Sequence, residues 1–270
     1  MHIEKHTVQK IISSYNLYFR YTHLVPKIIR PWIRSKIFSE NPKRNFDFYI
    51  SLGNNCTAAR TLKTLNLRTF SFPFDWLWGV PLIKNLDWIL QGFKGFLNYE
   101  DLVYPLKIEV GAEHLKVKNH RTGTYFIHDF LTDSYDEFLS IQEKYNRRCL
   151  RLLNECKNKN VFFLYIEHND DKINYAQSPE SILKKLVKVK NKIGARKITL
   201  SIIHSSKQES NKIETLQTNG CSLYLFGSQQ VTPKNTKDRH QLALLLKEVL
   251  QTIEEDTNKC SMPSLSKERS

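Results

Sequence analysis

Glycine is scarce, with nine in 270 residues, about half the usual ~7%. That scarcity excludes collagen-like and low-complexity structure, and no Walker loop or Gly-x-Gly-x-x-Gly run supports nucleotide binding. No cofactor is expected. Long apolar runs are also missing. The longest, such as Val161 to Ile166, have strand length and fall far short of the ~20 residues that span a bilayer. The start, Met1-His2-Ile3-Glu4-Lys5-His6, lacks the apolar stretch of a signal peptide, so a cytoplasmic protein is expected. Five cysteines (56, 149, 156, 221 and 260) form no Cys-x-x-Cys pair, and without an export signal a disulfide framework is not expected.

Acidic residues are in short supply too: 27 against 41 Lys and Arg, for a net charge of +14. Half of that excess, +7, falls in residues 1–44, where nine basic groups face only Glu4 and Glu40. Ile28, Ile29, Trp32, Ile33 and Ile37 recur there at roughly helical spacing, with Pro31 tolerable in a first turn. A basic helical N-terminal extension over residues 1–45 is therefore expected. It either packs its apolar stripe on the main domain or meets an anionic membrane surface or a protein partner. Nothing downstream resembles a nucleic-acid module, so no nucleic acid is expected.

What is present suffices for a core, since 40% of residues are apolar and 25% charged. From Asn45 the chain alternates. Phe46 to Leu52 reads as a strand, Gly53-Asn54-Asn55 as a tight turn, and Cys56 to Leu65 as a helix with Ala58, Ala59, Leu62 and Leu65 on one face. After an aromatic segment from Phe70 to Trp88, residues Leu115 to Ile127 read as a hairpin turning near Arg121-Thr-Gly123. Ser134-Tyr-Asp-Glu137 is a capping box opening a helix through Cys156, on which Cys149 and Cys156 share a core face. Val161 to Ile166, Lys197 to Ile203 and Cys221 to Phe226 are further strands. Ser178-Pro179 and Gly194 bound another helix, whose run Lys184 to Lys192 is its solvated face, and Asp238 to Glu254 is the last helix. Residues 255–270 read as a disordered tail. The fold class expected is α/β, a mostly parallel central sheet with helices on both faces, with the domain at 46–254.

In such sheets ligands bind beyond the carboxyl ends of the strands. Gly53 to Cys56, His128-Asp129, Glu167-His168-Asn169 and His204-Ser205 all follow apolar runs and can line one edge. Strand ends are polar anyway where the chain enters water, but solvation gives no reason for the thiol of Cys56. A cysteine between strand and helix faces unpaired amides and the positive end of the helix dipole, an environment that favours thiolate. The turn presents it much as a nucleophile elbow presents serine. Amides of the Asn54-Asn55-Cys56 turn, with Gly53 before it, or an asparagine side chain, can then receive an oxyanion. His128 is the natural base, oriented by Asp129, Asp75, Glu167 or Asn169. The alternative is a buried structural cysteine. Asp75 has two readings as well: a cap for the helix towards Trp88, or a group orienting His128 beside a cleft walled by Phe72, Phe74 and Trp76. Zinc held by Cys56, His128, His168 and His204 is a rival reading, but no close-spaced ligand pair joins them, so no metal is expected. His114, His120 and His240 read as surface or loop residues.

Four blocks in order, Ser51-Leu-Gly-Asn-Asn-Cys56, Leu67-Arg68, Phe70-Ser-Phe-Pro-Phe-Asp-Trp-Leu77 and Phe126-Ile-His-Asp-Phe130, resemble a family named "putative papain-like cysteine peptidases". The resemblance spans about residues 46 to 167. It implies a Cys-His site at Cys56 and His128, with Asp129 or Asp75 as accessory acid. It also implies a histidine on an antiparallel sheet and a cysteine on a helical lobe, where the alternation points to an open parallel sheet. Two functions follow. One is a thiol-dependent hydrolase acting on a peptide-like amide or an ester. The other is a non-catalytic scaffold using its basic arm.

Overall fold

The computed structural model describes residues 42, 44–79, 81–105, 114–167, 178–205, 213–228 and 236–261, without the side chains of 205, 213, 236–240 and 258–261. The expected basic arm therefore lies almost wholly outside the described residues, as do His168 and Asn169 and the side chains of His240 and Cys260. Among the described residues, no helix is long and apolar enough to cross a membrane.

The elements in chain order are β1 (Phe48–Ser51), α1 (Thr57–Thr64), β2 (Leu77–Trp78), α2 (Leu82–Leu90), a 3-10 turn (Tyr99–Asp101), β3 (Leu102–Val103), β4 (Leu115–Asn119), β5 (Tyr125–Phe130), α3 (Tyr135–Glu155), β6 (Asn160–Ile166), α4 (Pro179–Ile193), β7 (Lys197–Ser205), β8 (Ile213–Thr218), β9 (Cys221–Ser228) and α5 (Thr236–Ser261). A five-stranded sheet has the order β1-β6-β7-β9-β8. Its first four strands are parallel and β8 is antiparallel at the edge. β6 explains its central place, because every residue from Val161 to Ile166 is buried, as a strand covered on both faces requires.

Ile50, Phe163, Leu200 and Leu223 are register partners and share one face. They join a core with Leu183, Leu186, Val189 and Ile193 of α4 and with residues of α2 and α3. The other face carries Tyr49, Phe162, Leu164 and Tyr224, also buried, and α1 packs there against β1, β6 and α5. Helices on both faces of a mostly parallel sheet are as expected. Local signals explain the boundaries. Ser178 caps α4 by accepting from the Ser181 amide, Pro179 occupies the first turn, and Gly194 ends the helix at φ +66°. Ser134 caps α3 by accepting from Glu137 N. Glu137 reaches back past Ser134, accepting from the amides of Leu131 and Thr132. Cys149 and Cys156 both face the core.

Three expectations need correction. The hairpin bearing His128 does not belong to the parallel sheet. It builds a second, antiparallel sheet of order β2-β5-β4-β3, because a tight Asn119-to-Thr124 turn folds β5 directly back on β4 and the two-residue strands β2 and β3 close its edges. β8 was not anticipated, although it joins β9 through Asn219-Gly220, both at positive φ (47° and 74°), the residue pair that favours a tight hairpin. The last helix runs on to Ser261, so residues 255–261, read as tail, are helical.

Candidate active site

β1 ends at the carboxyl edge of the five-stranded sheet, where the Leu52 amide makes one more ladder bond to Leu164 O. The chain then turns through two consecutive left-handed residues, Gly53 (φ +85°) and Asn54 (φ +76°). Glycine suits the first on two counts. Its φ disfavours any side chain, and a Cβ there would stand 3.1 Å from the Phe74 Cβ and 3.2 Å from the Asn85 amide nitrogen. Asparagine is among the few other residues that tolerate the second position. Asn85 holds the turn from below by donating to Leu52 O at 2.6 Å. Asn55 Oδ1 accepts from the Thr57 amide at 2.7 Å, so its side-chain oxygen is engaged in opening α1. Cys56 follows at the cap position, with Arg60 N donating to its carbonyl at 2.9 Å. Among the described residues, the Cys56 amide donates to no acceptor.

Cys56 is half-buried, whereas Cys149, Cys156 and Cys221 are buried. Burial pushes the thiols of Cys149 and Cys156 up to about 12 and that of Cys221 up to about 11. Those three are core residues, and among the described cysteine side chains only Cys56 reaches solvent.

The turn is tied to the second sheet. Asn54 O accepts from the Gly79 amide at 3.1 Å, directly after β2, and β2 pairs with β5 through Leu77–Phe126 and Trp78–Tyr125. His128 lies two residues further along β5, within a bulge. Between the pairs Leu115–Phe130 and Val117–Phe126, β4 has one residue and β5 has three, Ile127, His128 and Asp129. A bulge breaks the in-out alternation and re-aims side chains. Here Phe126 and Phe130 both stay buried while His128 is exposed. The imidazole stands edge-on to Trp76 at 6.1 Å and to His114 at 6.2 Å. Partial burial, then the charge of Arg60, then His114 hold His128 below the ordinary histidine range, and Asp129 opposes them. A neutral imidazole at neutral pH can accept a proton.

Neither aspartate is hydrogen-bonded to His128. Asp129 accepts from Lys144 Nζ with one oxygen and from the Tyr145 hydroxyl at 2.8 Å with the other, so it bears on His128 through its charge. Asp75, 1% exposed, accepts through one oxygen from Arg68 Nε at 3.0 Å, an Arg68 terminal nitrogen at 2.7 Å and the Phe72 amide at 2.9 Å. Burial pushes its carboxyl up, and Arg68 with the Phe72 amide opposes that. Asp75 does not cap the following helix, whose cap position is Pro81; it closes its own turn on Phe72 because Arg68 supplies the counter-charge there. Arg68 also lies over the Trp76 ring, 5.3 Å from the centroid, so Trp76 contacts both that cation and the imidazole. Phe72 and Phe74 are buried core residues.

Glu167 follows β6, buried, its amide donating to Ile203 O. His204 is half-buried on β7, opposite Gly227. Both therefore lie at the carboxyl edge of the parallel sheet, the edge from which Cys56 emerges, while His128 arrives from the antiparallel one. No group of three or more His, Cys, Asp or Glu among the described residues is placed to hold a metal ion. Arg60 was not singled out from the sequence, although Cys56-x-x-x-Arg60 is the spacing that puts two side chains on one helix face.

Residues 47–205 match the family model described as "Putative papain-like cysteine peptidase (DUF1796)". The chain belongs to this family. The match takes in Cys56, Asp75 and His128 and stops at the end of β7, so β8, β9 and α5 lie beyond the papain-like peptidase family's matched span. The chain is also similar to "Uncharacterized protein R408" of Acanthamoeba polyphaga mimivirus, 26% identical over 191 residues, which cover 64% of this chain and 85% of that protein. No solved structure matches the chain.

Proposed function

We propose that the protein is a thiol-dependent hydrolase in which Cys56 is the nucleophile and His128 its base, acting on a peptide-like amide or an ester. The observation that carries this reading is the hydrogen bond from Gly79 N to Asn54 O. It couples the turn bearing the half-buried cysteine to the sheet whose bulge presents an exposed imidazole. The neutral imidazole takes the thiol proton, and the sulfur attacks the substrate carbonyl carbon. The oxygen that gains charge is received by the Cys56 amide, with Trp76 as one wall of the cleft. The imidazolium then gives its proton to the departing amine or alcohol, leaving a thioester on Cys56. Neutral His128 then takes a proton from the water that adds to that thioester and passes it to the sulfur as the acid product leaves.

Activity profiling with a fluorescent electrophile below pH 7, followed by mapping of the modified residue, tests the reading. The expected result is rapid labelling of Cys56 that is lost in Cys56→Ala and slowed in His128→Ala. Labelling of Cys56 only near pH 8.5, the range of an unactivated thiol, or hydrolysis that survives intact in Cys56→Ala, overturns it.

A further inference from the structure

The side chain of Arg60, one helical turn after Cys56, has no hydrogen-bond or ion-pair partner among the described residues. The guanidinium groups of Arg68, Arg147 and Arg151 bind Asp75, Glu143 and the Ser71 carbonyl. Arg44 and Arg196 likewise bind the Asn66 carbonyl and Asn160. The Arg60 guanidinium makes no hydrogen bond or ion pair with any described residue, and α1 itself carries no acidic side chain. It is half-buried nonetheless, so a cation is held partly out of water with no counter-charge among the described residues. Its position is specific. Arg60 lies one helical turn after Cys56, its amide bonded to the Cys56 carbonyl, about 6 Å along the axis. Side chains on a helix tilt towards its N-terminus, the end of α1 at which Cys56 stands. The charge of Arg60 also bears on His128.

We infer that Arg60 anchors a carboxylate of the substrate, so that Cys56 acts on a bond close to an acidic group. The planar fork of a guanidinium matches a carboxylate with two parallel hydrogen bonds, and an incoming carboxylate would supply a counter-charge that no described residue supplies. The inference rests on the reactivity of Cys56 proposed above and adds a substrate class to it.

Two small electrophiles of nearly equal size test it in the full-length protein: iodoacetate, which carries a carboxylate, and neutral iodoacetamide. In each, the sulfur displaces iodide, a carbon–sulfur bond replacing the carbon–iodine bond. The ratio of the two rates on Cys56, mapped by mass spectrometry, cancels any change in thiolate fraction, because both reagents meet the same thiolate. The ratio should fall on the order of three- to tenfold in Arg60→Gln, as expected for loss of one unit charge several ångströms from the carboxylate. It should be largely kept in Arg60→Lys, and it should fall in the parent protein at 0.5 M salt. The iodoacetamide rate also reports whether Arg60→Gln keeps its fold, since an unfolded chain exposes the three core thiols to labelling. An unchanged ratio in folded Arg60→Gln overturns the role of Arg60 while leaving the nucleophile standing. Absence of labelling at Cys56 by either reagent overturns both.

Discussion

Strands β6, β7 and β9 of the five-stranded sheet pair in unbroken register and are buried on both faces, whereas the four-stranded sheet is bulged, partly open to solvent and edged by strands of two residues. The two contribute differently to one candidate site. The first ends in a turn whose left-handed residues leave little freedom, so the position of Cys56 follows from the core beneath it. The second presents His128 from a bulge, where the side-chain direction depends on which residues are left unpaired. Buried charge divides similarly. Asp75 is buried against the largely buried Arg68, while the buried carboxylate of Asp129 faces the partly exposed Lys144.

The largest expected effect removes the nucleophile. Cys56→Ala should lower any hydrolysis by at least about 10³-fold, as loss of a catalytic nucleophile does, while thermal unfolding stays cooperative. Replacing Cys149 instead should spare turnover and reduce stability. If both replacements behave alike, the contrast between a solvent-facing thiol and core thiols is broken. Asp75→Asn should destabilise the protein by about 3 kcal/mol in urea unfolding, because it leaves the largely buried Arg68 without its counter-charge. A stable Asp75→Asn protein with lost activity would point to direct action on His128.

His128→Ala should slow labelling of Cys56 by roughly 10²-fold. The pH dependence sharpens the point. Partial burial and then Arg60 hold His128 below the ordinary histidine range, so its neutral form persists further into acid than that of a free histidine. Labelling should fall as pH drops through that lowered value, and Arg60→Gln should shift the fall to higher pH. A smaller effect compares the two sheets at their glycines. Gly53→Ala adds a close contact to an unfavourable φ and should cost about 2 kcal/mol. Gly123→Ala, at φ +76° with nothing within 4 Å of its added Cβ, should cost about 1 kcal/mol; equal midpoint shifts would show that crowding at Gly53 is relieved by movement of Phe74 or Asn85. Asp129→Asn should cost less than Asp75→Asn, since the Tyr145 hydroxyl keeps an acceptor and the partly exposed Lys144 regains water. A slower labelling rate in this variant, at unchanged stability, would give the Asp129 charge a part in holding the imidazole.

Residues with strong local preferences made much of this legible. Ser178, Pro179 and Gly194 mark both ends of α4, Ser134 marks the start of α3, and the apolar run Val161 to Ile166 could only be a buried strand. The thiol was legible too, because a cysteine after Leu-Gly-Asn-Asn interrupts residues chosen for turning. The second sheet was not, since β2 and β3 are too short to show any periodicity and derive their extended form from pairing with β5 and β4. The partners of Asp75 and Asp129 were hidden for another reason. Asp75 meets Arg68 across an irregular turn that shows no period, and Asp129 meets Lys144 and Tyr145 on the following helix, a pairing set by how α3 packs rather than by spacing along the chain.

Local chemistry by itself thus determined the alternating helices and strands, their caps, and the placement of Cys56 at a strand-to-helix turn, because each depends on residues within a few positions of one another. Only the tertiary structure decided that His128 would come from a separate antiparallel sheet, that its strand would bulge, and that the charges of Arg60 and Asp129 would both bear on it. These depend on which segments meet across the core, and a pairing between distant strands leaves no period in the sequence of either one.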